Sequence, residues 1–107
     1  MDLTSKKCIP CEGGTPAFSP TEVATYLAHV QNWISVEDKK MQKDFAFHDF
    51  KGAMEFVNKV AKIAESEGHH PDIHVFYNRV QLELWTHAVS GLSENDFILA
   101  AKIDGLV

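Results

Sequence analysis

The residues of this chain best suited to chemistry are in Glu65-Ser66-Glu67-Gly68-His69-His70-Pro71-Asp72, joined by Thr86-His87 further on. Histidine has an unperturbed pKa of about 6.5, so it can give and take protons near neutrality. A cluster of them can hold one ring as imidazolium acid while another serves as imidazole base. Pro71 disfavours the helical region for His70. The run from Gly68 to Pro71 therefore ends a helix abruptly and projects His69 and His70 from a loop at a strand start. His87 ends a later strand that should form a hairpin with the one beginning at Asp72. A tight hairpin sets its far ends side by side, which brings His87 close to His69 and His70. Asp96 sits where it can orient one imidazole by accepting its other N–H. A metal centre is a second reading, because three His ligands plus water make a catalytic zinc site. Adjacent residues such as His69 and His70 seldom both point at one ion, so acid–base chemistry ranks first. His29, His48 and His74 lack partners in the pattern and read as surface or structural residues.

The elements that must hold these rings follow from periodicity. Ser19-Pro20 starts a helix, with Ser19 as N-cap, Pro20 at the first position and Glu22 completing a capping box. The helix runs to about His29. Trp33 to Glu37 and Met41 to Phe47 read as a strand pair around a turn at Asp38-Lys39-Lys40, with Met41, Phe45 and Phe47 on one side. Asp49 caps a long helix from Phe50 to about Ser66. Its apolar stripe is Ala53, Phe56, Val57, Val60, Ile63 and Ala64, and Gly68 stops it. Asp72 to Tyr77 alternates, with Ile73, Val75 and Tyr77 inward, and Asn78-Arg79 is the expected connection. Val80 to Thr86 is the clearest strand, with Val80, Leu82 and Leu84 inward and Gln81, Glu83 and Trp85 outward. By parity His87 continues the outward set. Ser93 caps a last helix from about Glu94 to Ile103, burying Phe97, Ala100 and Ala101.

The expected fold class is α+β, in the order α-β-β-α-β-β-α: a two-layer domain with a four-stranded antiparallel sheet and three helices on one face. The other sheet face would carry His74, Gln81, Glu83 and Trp85, and an open face in so small a domain suggests a homo-oligomer that covers part of it. Residues 1–18 read as an irregular tail and residues 19–107 as a single domain. The tail holds Cys8-Ile9-Pro10-Cys11. A structural zinc site wants a second such pair, and a redox motif should open a helix. This C-x-x-C has neither.

Bulk properties narrow the partners. A chain of 107 residues forms at most one domain. Its formal charge of −5 argues against nucleic acid, which demands clustered Lys and Arg. Lys39, Lys40 and Lys43 are the one basic cluster, diluted by Asp38 and Asp44. No apolar run approaches the roughly 20 residues of a membrane helix, and the N-terminus lacks the apolar core of a signal peptide. A cytoplasmic location is the expectation.

Glu65-x-x-x-His69-His70-Pro71, Tyr77-Asn78-Arg79-Val80, Thr86-His87 and Gly91-Leu92-Ser93-x-x-Asp96 together resemble the pterin-4a-carbinolamine dehydratase family. The resemblance covers roughly residues 20–104, and Asn32-Trp33 is similar to the family's tryptophan position. It implies a lyase that needs neither cofactor nor metal and dehydrates 4a-hydroxytetrahydropterin to quinonoid dihydropterin. That reaction recycles the pterin cofactor of aromatic amino-acid hydroxylases. It also implies an α+β fold in a homodimer or homotetramer. The family's catalytic histidines carry over to His69, His70 and His87, and its acidic residue to Asp96. Glu65, Pro71 and Trp33 join Asp96 as substrate-binding or orienting candidates. Ile73 and Trp85 depart from the family pattern close to the site. A different function class stays open, since some members aid dimerisation of a transcription factor through their helical surface.

Overall fold

A computed structural model of the protein describes residues 1–10 and 16–107. Cys11, and with it any pairing in the C-x-x-C, lies outside the described residues. The elements are α1 (Pro20–Leu27), β1 (Ile34–Val36), β2 (Lys40–Ala46), α2 (Phe50–Glu67), β3 (Asp72–Phe76), β4 (Arg79–Leu84) and α3 (Glu94–Asp104), with short 3-10 turns at Leu3–Ser5 and His87–Val89. The sheet is antiparallel with strand order β1-β2-β4-β3. This is the expected α+β arrangement of two hairpins separated by a helix.

Local chemistry sets the boundaries. Ser19 accepts a hydrogen bond from the Glu22 N–H, and the Glu22 carboxylate accepts one from the Ser19 N–H. Asp49 caps α2 by accepting from the Gly52 N–H. At the other end Gly68 adopts φ 66°, the left-handed conformation that glycine enters without a Cβ penalty. One sheet face forms the core. Met41, Phe45, Val80, Leu82 and Leu84 pack there against Ala53, Phe56 and Val60 of α2 and Phe97, Leu99, Ala100 and Ile103 of α3. Helix α3 is buried nearly all round, as suits a helix covered by α2, α1 and the N-terminal residues.

Three expectations need correction. The second hairpin turns at Tyr77-Asn78, one residue earlier than expected, because Phe76 pairs with Arg79 and Val75 with Val80. Tyr77 therefore takes φ 53° and lies 68% exposed instead of facing inward. The strand before His87 stops at Leu84, so a 3-10 turn, not strand parity, delivers that ring. Helix α1 ends at Leu27, and the chain then turns through Asn32 at φ 61°.

The first ten residues pack on the domain. Leu3 is 3% exposed within the core cluster; burying such a side chain contributes about 2 kcal/mol. The Phe18 N–H donates to the Leu92 carbonyl at 2.8 Å, where the chain passes so close that a Cβ on Gly91 would lie 2.8 Å from Ala17 Cβ. Any side chain at position 91 would push this segment away.

Candidate active site

The β3–β4 ladder explains why residues far apart in sequence meet. Asp72 pairs with Glu83. His69 and His70 lie just before β3, and His87 lies just beyond β4, at the same end of the ladder. Thr86 and Gly91 form a bridge, with the Thr86 N–H donating to the Gly91 carbonyl at 2.8 Å. That bridge pinches off the 3-10 turn carrying His87. The residue that caps its end, Ser90, sits at φ 54°.

All three predicted catalytic histidines line one pocket of about 440 Å³. The remaining wall includes Cys8, Ile9, Pro10, Glu67, Trp85, Thr86 and Asn95. The pocket is thus closed by the end of α2, the end of β4, the first turn of α3 and the N-terminal residues.

The rings are held differently. His69 Nε2 lies 2.5 Å from Asp96 Oδ1, with the His69 side chain 12% exposed and Asp96 fully buried. The other Asp96 oxygen accepts from the Thr86 hydroxyl at 2.9 Å and the Ser93 N–H at 3.0 Å. A buried carboxylate is stable only when so satisfied. With Asp96 accepting from Nε2–H, the His69 tautomer leaves Nδ1 as the acceptor nitrogen. Asp96 completes a capping box at the start of α3, so one side chain both begins a helix and fixes an imidazole. His70 Nε2 pairs with Glu65 Oε1 at 2.7 Å, and both side chains are well exposed. An exposed pair of this kind holds its ring only weakly. His87 is exposed, and Trp85 lies flat upon it, with ring centroids 3.8 Å apart and planes inclined by 27°.

The other expected site residues lie elsewhere. Trp33 is 7% exposed and sits in the core, not on the pocket wall. Its indole N–H donates to Asp104 at 3.0 Å and its ring meets Phe45 edge-on. Glu65 and Pro71 stand outside the pocket lining; Glu65 reaches the site only through His70. His74 is on the outer sheet face, bonded to Glu83 at 2.9 Å, and Glu83 also takes Lys40.

Glu67, Asn95 and Cys8–Pro10 line the pocket but escape sequence reasoning. Glu67 shows as a polar residue in the last turn of a helix, and Cys8–Pro10 carry no periodic signal. The Glu67 carboxyl is held below the usual carboxylate range, first by a hydrogen bond from Lys102 and then by one from the Cys8 N–H. The Cys8 thiol is pushed up to about 12, first by burial and then by the Glu67 charge. Cys8 is therefore a neutral thiol at physiological pH, unsuited to nucleophilic chemistry. Among the described residues no group of three or more His, Cys, Asp and Glu side chains is spaced to hold an ion.

Comparison with known proteins supplies the family. The sequence profile described as pterin 4 alpha carbinolamine dehydratase matches residues 16–106. A Rickettsia bellii protein provisionally named pterin-4-alpha-carbinolamine dehydratase is 48% identical over 103 residues, covering 95% of this chain and 91% of its own. A Nitrosospira multiformis protein of the same provisional name is 49% identical over 105 residues, covering 98% and 92%. Among solved structures, the transcriptional coactivator/pterin dehydratase of Brucella melitensis superposes with TM-score 0.80 at 31% identity, covering 84% of this chain and 97% of that one. A pterin dehydratase-like protein identified as a RuBisCO assembly factor in the alpha-carboxysome gives TM-score 0.61 at 25% identity, covering 73% and 92%. With its profile matched over most of its length and relatives near half identity, the chain belongs to the pterin 4 alpha carbinolamine dehydratase family.

Proposed function

We propose that the protein dehydrates 4a-hydroxytetrahydropterin to quinonoid dihydropterin by acid–base catalysis from its histidines. The observation carrying this reading is that His69, His70 and His87 line a single pocket, with His69 fixed by the buried Asp96. The reaction breaks the C4a–O bond. An imidazolium gives a proton to the hydroxyl, which leaves as water, while an imidazole takes the N5 proton and the N5=C4a double bond forms. Protons balance, and no metal or cofactor is called upon. Such proton transfers contribute roughly 10²- to 10⁴-fold each.

In this reading His70 is the principal acid/base, and His69 and His87 bind and assist. His70 pairs at 2.7 Å with the exposed Glu65, and an exposed pair of this kind is weak enough to let the ring follow substrate. Asp96 orients His69, and Glu65 serves His70. The physiological setting is the cytoplasm, where the product returns to the pterin pool of an aromatic amino-acid hydroxylase. A homodimer or homotetramer covers part of the open sheet face, on which Ile34 and Phe76 are 61% and 49% exposed.

The test is decay of the 4a-carbinolamine, followed by absorbance with and without a chelator. Acceleration that survives chelation supports the reading; none above the spontaneous rate, or loss on chelation, refutes it. His70→Ala is expected to cost more in kcat than His87→Ala, and the reverse order overturns the assignment of roles.

A further inference from the structure

The N-terminal segment is fastened along one wall of the histidine pocket. Asn95, 6% exposed, spends both ends of its amide on the backbone of Ile9. Its Oδ1 accepts the Ile9 N–H at 3.0 Å and its Nδ2 donates to the Ile9 carbonyl at 2.5 Å. One residue earlier, the Cys8 N–H donates to Glu67 Oε1 at 2.8 Å. Glu67 is itself fixed by Lys102, whose ammonium reaches its other oxygen at 2.8 Å. Leu3, buried in the core, anchors the segment further upstream. The Cys8 N–H and both polar groups of the Ile9 backbone are thus committed to two side chains of the domain.

What this fastening presents is apolar. Ile9 is 70% exposed, yet it lines the pocket together with Pro10. An isolated exposed isoleucine is common on protein surfaces. One whose backbone is tied on both sides, at the mouth of a pocket lined by three histidines, is positioned in advance to meet a ligand.

We propose that Ile9 and Pro10 form an apolar shelf against which the flat ring system of the pterin lies, with Asn95 and Glu67 as the positioning residues that hold the shelf. The proposal rests on the dehydratase reading for the identity of the ligand. Asn95 and Asp96 are consecutive in the first turn of α3, so one turn sets both the shelf and the His69 ring. The shelf makes no proton transfer. Its contact with substrate is the same before and during the reaction, so it acts on binding and not on the chemical step.

The experiment compares wild type, Ile9→Ala and Asn95→Ala by dehydration kinetics and by fluorescence titration with an unreactive oxidised pterin. Ile9→Ala removes exposed atoms only, so it folds even if Asn95→Ala does not. Removing an apolar contact of this size is expected to raise KM and the pterin dissociation constant roughly tenfold, with kcat within about twofold of wild type. Unchanged KM and unchanged pterin binding in Ile9→Ala overturn the shelf, as does a fall in kcat at constant KM. A wild type that binds pterin without turnover refutes the dehydratase reading, and the shelf is then judged by pterin binding alone. A wild type that binds no pterin overturns both.

Discussion

Asp96 is completely buried, yet it stands 2.5 Å from His69, a ring that reaches the pocket. One oxygen is committed to the imidazole and the other to Thr86 and Ser93. A carboxylate so placed fixes the tautomer and orientation of His69. Asp96→Asn keeps the shape but replaces an acceptor with an amide that can donate, so the ring loses its orienting partner. We expect kcat to fall at least about 10²-fold, within the range of lost acid–base catalysis, with KM little changed. Steady-state kinetics and a thermal melt on the same preparation check this. A melt lowered at full kcat would assign Asp96 a purely structural role.

The stack of Trp85 on His87 leads to a second expectation. His87 belongs to a 3-10 turn of three residues and is exposed, and among the described residues no buried carboxylate bonds it as Asp96 bonds His69. The indole face is the surface that sets the plane of its ring. Trp85→Ala frees the imidazole, and misplacing a catalytic group by an ångström can cost on the order of 10²-fold. Trp85→Phe keeps an aromatic face and should recover most of the rate. If alanine and phenylalanine lower kcat equally, the stack does not position the ring.

The fold was legible because its signals are local and redundant. Ser19-Pro20, Asp49, Gly68 and Ser93 mark three helices by capping chemistry that no tertiary contact overrides. Strand alternation gave the buried set of β4, because one sheet face meets the core and the other does not. The histidines were legible because a hairpin register maps sequence distance onto spatial neighbourhood. What failed was long-range or conformational. Tyr77 reads as an inward strand residue by parity, but the two-residue turn claims it. Cys8–Pro10 become a pocket wall through Asn95, 86 residues from its partner Ile9, and Glu67, 59 residues from its partner Cys8, separations no local pattern encodes. Trp33 was placed at the site by resemblance alone, and its position is decided by a partner at the far end of the chain.

That partner, Asp104, carries the third prediction. Its Oδ1 accepts from the Trp33 indole at 3.0 Å and from the Lys43 ammonium at 2.8 Å, and its Oδ2 accepts from the Gln31 N–H at 3.0 Å. Lys43 interrupts the inward face of β2 between Met41 and Phe45, and its side chain is only 11% exposed. Its ammonium lies 4.8 Å from the Phe45 ring centroid and 5.9 Å from that of Trp33. These rings help but do not replace a counter-charge. Asp104→Ala therefore strands a nearly buried cation and an indole N–H together, and losing one partner of such a pair costs about 3–5 kcal/mol. Urea unfolding should show the unfolding free energy falling by that amount, seen as a lower midpoint with little change in m. Adding Lys43→Met to Asp104→Ala removes the stranded charge, so the double variant should regain a large part of the loss. Because Trp33 and Asp104 stand apart from the histidine pocket, the folded fraction of Asp104→Ala should keep the wild-type KM. A raised KM in protein shown to be folded would return Trp33 to the substrate site.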